Sequence, residues 1–137
     1  MITYRDAING ISANQLYGFF VDWPGSPDAE THLRLLQQSG AVVIALEEET
    51  GRVVGFITAI TDGVLSAYIP LLEVLSEWQG QGIGKELVRR MVERLRDLYM
   101  IDLLCDEELQ PFYERLGFMR SQGMMIRNYG NQSGRSG

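Results

Sequence analysis

Gly80, Gly82 and Gly84 stand at alternate positions between an apolar stretch, residues 69–75, and a segment whose apolar residues recur at helical spacing. Without side chains at these points the backbone can approach a ligand closely, and the amides that open a helix have no partner within it. Such amides, together with the helix dipole, form an anion site, usually for phosphate. The competing reading is a tight strand-to-helix turn that binds nothing. Two phosphate loops fail to fit. A nucleoside-triphosphate loop needs Gly, four residues, then Gly-Lys-Ser/Thr; here Glu86 follows Gly84-Lys85, and Gln79 stands five residues before Gly84. A dinucleotide fingerprint needs glycine three residues after its second one, where Lys85 stands, and it needs a repeated strand-helix-strand unit that the sequence lacks.

The other reactive side chains are scattered. Cys105 is the only cysteine, which excludes an internal disulfide and makes a reducing cytoplasm the expected compartment. It closes an apolar stretch and has no histidine partner, so a buried strand residue is expected rather than a nucleophile. His32, the only histidine, is expected to face solvent from a helix. Asp106-Glu107 mimics an ATPase acidic motif but lacks that motif's partner loop.

The elements that must position these residues follow from periodicity. Residues 2–5 suit a short strand. Ser12 has Gln15 at the capping-box position, and Leu16, Phe19, Phe20 and Trp23 recur at helical spacing, which predicts a first helix broken at Trp23-Pro24-Gly25. Ser26-Pro27 predicts a second helix, serine as cap and proline at the first helical position, ending at Gly40. Residues 41–46 and 52–60, joined by the polar turn 47–51, read as an antiparallel hairpin. Asp62-Gly63 is the next turn and 65–75 a third strand. Leu87, Val88, Met91, Val92, Leu95 and Leu98 mark an amphipathic helix. Residues 100–105 suit a buried strand, 110–116 a short helix capped by Gly117, and 118–127 one or two last strands. This order defines a mixed α/β architecture, with 1–129 a single domain and 130–137 a disordered tail.

Composition narrows the partners. The chain has 137 residues, 45% apolar and 22% charged, with a formal charge of -6. That balance argues against nucleic-acid binding, which relies on Lys and Arg to neutralise phosphates. The basic run Lys85, Arg89, Arg90, Arg94 and Arg96 is interleaved with Glu86, Glu93 and Asp97 and reads as a solvated helix face. No apolar run reaches the ~20 residues that span a bilayer, so no membrane partner is expected.

Gln79-Gly80-Gln81-Gly82-Ile83-Gly84, preceded by Leu72-Glu73-Val74-Leu75, resembles the acyl-CoA signature Gln/Arg-x-x-Gly-x-Gly/Ala of the GNAT superfamily of N-acetyltransferases. Phe112-Tyr113-Glu114-Arg115-Leu116-Gly117-Phe118 resembles that superfamily's C-terminal Phe-Tyr-x-x-x-Gly-Phe segment, and element order agrees from Ile2 to about Arg127. The resemblance implies a mixed, mostly antiparallel sheet of six to seven strands flanked by about four helices. It implies acetyl transfer from acetyl-CoA to a primary amine in a ternary complex, without a metal, in a protein of a kind that often forms homodimers. It implies cofactor contacts from Val74, Leu75, Gln79, Gly80, Gln81, Gly82, Ile83, Gly84, Lys85 and Phe112. Pantetheine would slot beside the strand that ends at Val74 and Leu75, where a backbone N–H could hold the developing oxyanion. Tyr113 matches the family tyrosine that protonates the departing thiolate. Glu73, a carboxylate inside an apolar run, is the expected general base or an anchor for a cationic acceptor, against the reading of an outward-facing strand residue. Tyr68 stands where some members carry that carboxylate, Trp23 where members line the acceptor pocket, and Asp106 where an asparagine often touches the cofactor. A different class of function, an acyl-CoA-binding sensor or interaction module without catalysis, keeps the loop and needs no acceptor site.

Overall fold

The computed structural model describes residues 1–134. Six strands form a sheet in the order β1 (Ile2–Arg5), β2 (Ala41–Glu47), β3 (Val53–Thr61), β4 (Ser66–Tyr68), β6 (Met100–Asp102), and β5 (Leu72–Val74) also pairs with β3. All pairs are antiparallel except β4 with β6. The α-helices among the described residues are α1 (Ala29–Gln38), α2 (Ile83–Arg94) and α3 (Gln110–Glu114). The mixed, mostly antiparallel fold expected from the sequence is present, with helices slightly fewer than expected.

The strands β2 and β3 are mostly apolar because both faces of the sheet are covered, with Glu47, Thr58 and Thr61 the polar exceptions. Side chains alternate between faces. Val43, Ala45, Val54 and Ile57 pack under Leu87, Val88 and Met91 of α2, whereas Val42, Ile44, Val53 and Phe56 pack under Leu36 of α1 with Leu16 and Phe20. No described helix is long and apolar enough to cross a membrane.

The expected first helix does not form. Its capping box does, with the Ser12 amide donating to Gln15 Oε1 at 2.8 Å, but only a single 3-10 turn, Ala13–Gln15, follows. Leu16 and Phe20 are buried nonetheless, delivered by an irregular loop in which Gly18, Phe20 (φ 63) and Asp22 (φ 68) are left-handed. The helical spacing of the apolar residues therefore records burial without helix. Helix α1 begins two residues later than Ser26-Pro27 implies: Asp28 is the N-cap, and its carboxylate accepts from the Thr31 amide at 2.8 Å.

The expected third strand, 65–75, is split. Pro70 has no amide hydrogen for a ladder, and Ile69, Pro70 and Leu71 separate β4 from β5. The expected last strands over 118–127 are absent. That segment has a single β-branched residue, Ile126, among Ser121, Gln122 and Gly123, so its strand propensity is low. Gly123 instead crosses so close to Leu104 that a Cβ would lie 2.4 Å from Leu104 Cδ2. Of the tail expected to be disordered, residues 129–131 form a 3-10 turn, Gln132 Oε1 accepts from the Gly25 amide at 2.9 Å, and the Gly134 carbonyl accepts from Arg34 at 3.0 Å; 135–137 lie outside the described residues.

The turn before β4 rests on Asp62, whose Oδ1 accepts from the amides of Val64, Leu65 and Ser66 at 2.8, 2.8 and 3.2 Å. Those bonds pull its pKa down to about 2. A depressed carboxylate stabilises the fold above its unfolded pKa of ~3.9 and stops doing so as pH falls through the folded value. Asp62→Ala is therefore expected to lower the melting temperature at neutral pH, and the gap to the parent should narrow between about pH 4 and about pH 2. A gap independent of pH would show that the carboxylate does not hold the turn.

Candidate functional site

The split at Pro70 opens a wedge in the sheet. On the β6 side the Ile69 amide still donates to the Asp102 carbonyl at 2.9 Å, but among the described residues no strand pairs with β5 on that side beyond it. On the β3 side the Leu71 carbonyl accepts from Thr58 at 3.1 Å, Glu73 faces Phe56, and the Leu75 amide donates to Val54 at 2.9 Å. Backbone groups alternate along a strand, so those of Leu72 and Val74 point into the wedge. Of the two residues singled out there, Val74 presents its N–H to the opening, and Leu75 has spent its own. The Val74 carbonyl accepts from Gln79 Nε2 at 3.0 Å, which ties the end of the strand to the start of the glycine loop.

In that loop Gly80 and Gly82 adopt φ of 80° and 86°, where an L side chain is strained, and Gly82 is the N-cap of α2. The first helical bond runs from the Glu86 amide to the Gly82 carbonyl at 3.1 Å, leaving the amides of Ile83, Gly84 and Lys85 unpaired by the helix. Ile83 is buried and anchors the helix start, whereas Gln79, Gln81 and Lys85 are exposed beside the loop. A Cβ on Gly84 would sit 3.7 Å from Val74 Cγ2 and 3.8 Å from Phe112 Cζ. One small residue thus brings the loop, the wedge wall and α3 together. Phe112 meets Tyr113 edge-on with centroids 5.0 Å apart, so Tyr113 belongs to the same cluster. Tyr113 is buried, and burial, with Cys105 nearby as the smaller cause, raises its pKa to about 12.

Glu73 lies on the opposite face from Val74, as alternation requires. Both of its carboxylate oxygens accept from the Phe20 amide, at 2.8 and 3.0 Å. Burial raises its pKa, and the amides of Phe20 and Val21 pull the other way. Trp23 packs against Phe20 with centroids 5.0 Å apart, and both line a cavity of ≈ 330 Å³ with Leu71, Arg34 and Asn131. Tyr68 follows Ala67 and precedes Ile69, both in the core under α2, so it shows the α1 face as Glu73 does. The sequence motifs therefore divide between two faces of one wedge: Val74, Gly84, Phe112 and Tyr113 on the α2 side, Glu73, Tyr68, Phe20 and Trp23 on the α1 side.

Three side chains stay apart from this arrangement. His32, expected at the surface, is buried in a cage of Phe19, Phe20 and Phe56; burial lowers its pKa to about 4 and keeps it neutral at pH 7. Cys105 is half-buried, and burial, then Asp106, raises its pKa, the reverse of an activated thiolate. Asp106 only precedes a 3-10 turn, Glu107–Leu109. The Phe20 amide and Arg34 were not legible as site residues. Gly18 and Pro24 were the available signal that residues 16–25 form a shaped loop.

The acetyltransferase (GNAT) family profile matches residues 12–118, and the chain belongs to that family. A putative acetyltransferase of Deinococcus radiodurans R1 superposes with a TM-score of 0.95 at 45% identity, covering 99% of this chain and 94% of that one. The chloroplastic GCN5-related N-acetyltransferase 3 of Arabidopsis thaliana is 43% identical over 77 residues, 55% of this chain and 32% of that protein. GCN5-related N-acetyltransferase 1 of the same plant is 31% identical over 119 residues, 84% of this chain and 60% of that protein. The chain thus spans from about a third to three fifths of the length of these curated relatives.

The Glu73–Phe20 contact yields a test of the site's frame. Glu73→Ala leaves the part-buried Phe20 amide without its acceptor, at a cost of about 1–3 kcal/mol. Denaturant unfolding should show that loss, and hydrogen exchange at Phe20 and Val21 should speed up ahead of the sheet amides. Unchanged exchange at these positions would mean that the carboxylate does not hold the loop.

Proposed function

We propose that the protein transfers an acetyl group from acetyl-CoA to a primary amine. The observation that carries this reading is the wedge beside β5, whose exposed Val74 amide adjoins the unpaired amides of Ile83, Gly84 and Lys85. The spacing suits one elongated ligand with a polar acyl-bearing arm and a phosphate end. The arm completes the sheet as an added strand on the Leu72 and Val74 edge, and the phosphates sit on the helix start, with Gln79, Gln81 and Lys85 around them. Gln79 must release the Val74 carbonyl when the arm pairs there. Phe112 and the bare face of Gly84 wall the arm on the α2 side.

The chain's own groups then divide the work. The amine nitrogen attacks the thioester carbonyl carbon from the α1 face, forming the C–N bond as the C–S bond breaks. The Val74 N–H receives the negative charge that develops on the carbonyl oxygen, an interaction worth ~3 kcal/mol in a water-excluded site. Glu73 takes the proton that the ammonium must lose, directly or through water; burial raises its pKa from the ordinary carboxylate value and so strengthens it as a base, and its oxygens keep lone pairs beyond those engaged by Phe20. Tyr113, with a pKa near 12, stays protonated at every working pH. Full transfer of its proton to a thiolate of pKa ~8.5 is uphill, so its contribution is a hydrogen bond donated to the departing sulfur. A sensor without catalysis would share the loop, with Glu73 holding the Phe20 amide and Tyr113 packing the core, and would release no thiol.

Thiol release from acetyl-CoA with a panel of primary amines tests the reading. Gly82→Val is expected to abolish CoA binding in a folded protein, because a β-branched residue cannot hold a φ of 86° without strain. Tyr113→Phe should keep CoA binding and lower kcat by ~10²-fold, the cost of losing one hydrogen-bond donor to the charge developing on sulfur. Because Tyr113 titrates only near 12, the parent should show no alkaline loss of kcat from this group below about pH 10. CoA binding without thiol release for any amine would favour the sensor.

A further inference from the structure

The cavity on the α1 face carries a charge pattern opposite to that of the chain. The chain's formal charge is -6, yet among the described residues the cavity's lining contains one charged side chain, Arg34, and no carboxylate. One Arg34 N–H goes to the Gly134 carbonyl at 3.0 Å. A guanidinium has five N–H donors in a planar fork, so four remain. Thr31, Gln38 and Asn131 add neutral polar groups at the same end. Phe20, Trp23, Leu35 and Leu71 supply apolar lining, and Trp23 is 38% exposed.

The cavity is joined to the proposed reaction centre through covalent and hydrogen-bonded neighbours. Phe20 lines the cavity while its amide is held by Glu73, and Leu71 lines it two residues before Glu73 on the same face of the sheet. Two residue steps take the strand from Leu71 to Glu73, a rise of ~7 Å. An acceptor whose nitrogen lies at Glu73 therefore runs its body along Leu71, Phe20 and Trp23 and ends near Arg34.

We propose, on the basis of the acyl-transfer reading, that the acceptor is an amine with an apolar stem that ends in a carboxylate, and that Arg34 is the residue that selects it. The stem desolvates against the aromatic and leucine wall, and the carboxylate meets the guanidinium fork with two parallel hydrogen bonds. Diamines are disfavoured at the same place, because a second ammonium would face Arg34 with no acid to pair it.

Three matched acceptors isolate the end group: 6-aminohexanoate, hexylamine and 1,6-diaminohexane. Wild-type kcat/KM should be highest for the carboxylate, by about ten-fold or more over hexylamine, and lowest for the diamine. Arg34→Gln, which removes the charge and keeps a polar side chain, should bring the three within about two-fold, chiefly by raising KM for 6-aminohexanoate. Arg34→Lys should recover part of the preference. A preference for the diamine, or equal rates for all three in the wild type, overturns the proposal. Binding of hexanoate, which has no amine to react, is read at the Trp23 indole resonance and keeps the two readings separable. A shift in the wild type that is lost in Arg34→Gln supports the anion subsite even if no amine is acetylated, an outcome that would instead sink the acyl-transfer reading. An unmoved Trp23 resonance overturns the subsite even if acetylation proceeds.

Discussion

Pro70 has no amide hydrogen to give, and the geometry of the site follows from that. A continuous strand over 65–75 would have paired with β6 along its whole length and closed the sheet. Instead β4 keeps its parallel pairing with β6 through Asp102, the chain turns at Ile69, Pro70 and Leu71, and β5 resumes on β3 alone. The wedge between β5 and the chain after β6 leaves strand edge exposed inside the protein, a liability unless something fills it. In the proposed function the filling is the acyl-bearing arm of the co-substrate.

Alternation along β5 sorts the chemistry. Val74 and Glu73 are neighbours in sequence, but their side chains face opposite layers while the Val74 N–H lies in the plane of the sheet and points into the wedge, so in the proposed function one strand offers an amide at its edge and a carboxylate on its α1 face. The two layers are held differently. On the α2 side the frame is apolar, with the bare face of Gly84 turned toward Val74 and Phe112. On the α1 side it is polar: Glu73 grips the Phe20 amide and stabilises a loop in which Phe20 and Asp22 hold left-handed angles, each costing about 1–3 kcal/mol. The cavity beside Trp23 exists because that loop is not a helix.

Much of this was legible in the chain. The glycine loop and the Phe112-Tyr113 segment mark the family, and the hairpin of β2 and β3 follows from two apolar runs about a polar turn. What was not legible depended on partners distant in sequence. Leu16, Phe19, Phe20 and Trp23 have helical spacing, but the Phe20 amide bonds to a carboxylate 53 residues away, and no local pattern announces that. Asp28 rather than Ser26 caps α1, since a second capping residue type stands two positions on, just past Pro27. His32 sits on a helix that looked solvated, yet three phenylalanines from the loop and β3 enclose it. Residues 118–127 carry apolar side chains without the β-branched density of a strand, and their crossing over Leu104 is a tertiary outcome.

Amide chemical shifts recorded during titration with acetyl-CoA test the central claim, that the wedge opened at Pro70 receives the acyl chain, most directly. The largest changes should fall on Leu72 and Val74 and on 80–85, with the amides of Glu73 and Leu75, already bonded to β3, moving far less. Changes confined to other surfaces, such as the arginine-lined cleft between Tyr4 and Arg94, with Val74 unmoved at saturation, would contradict it.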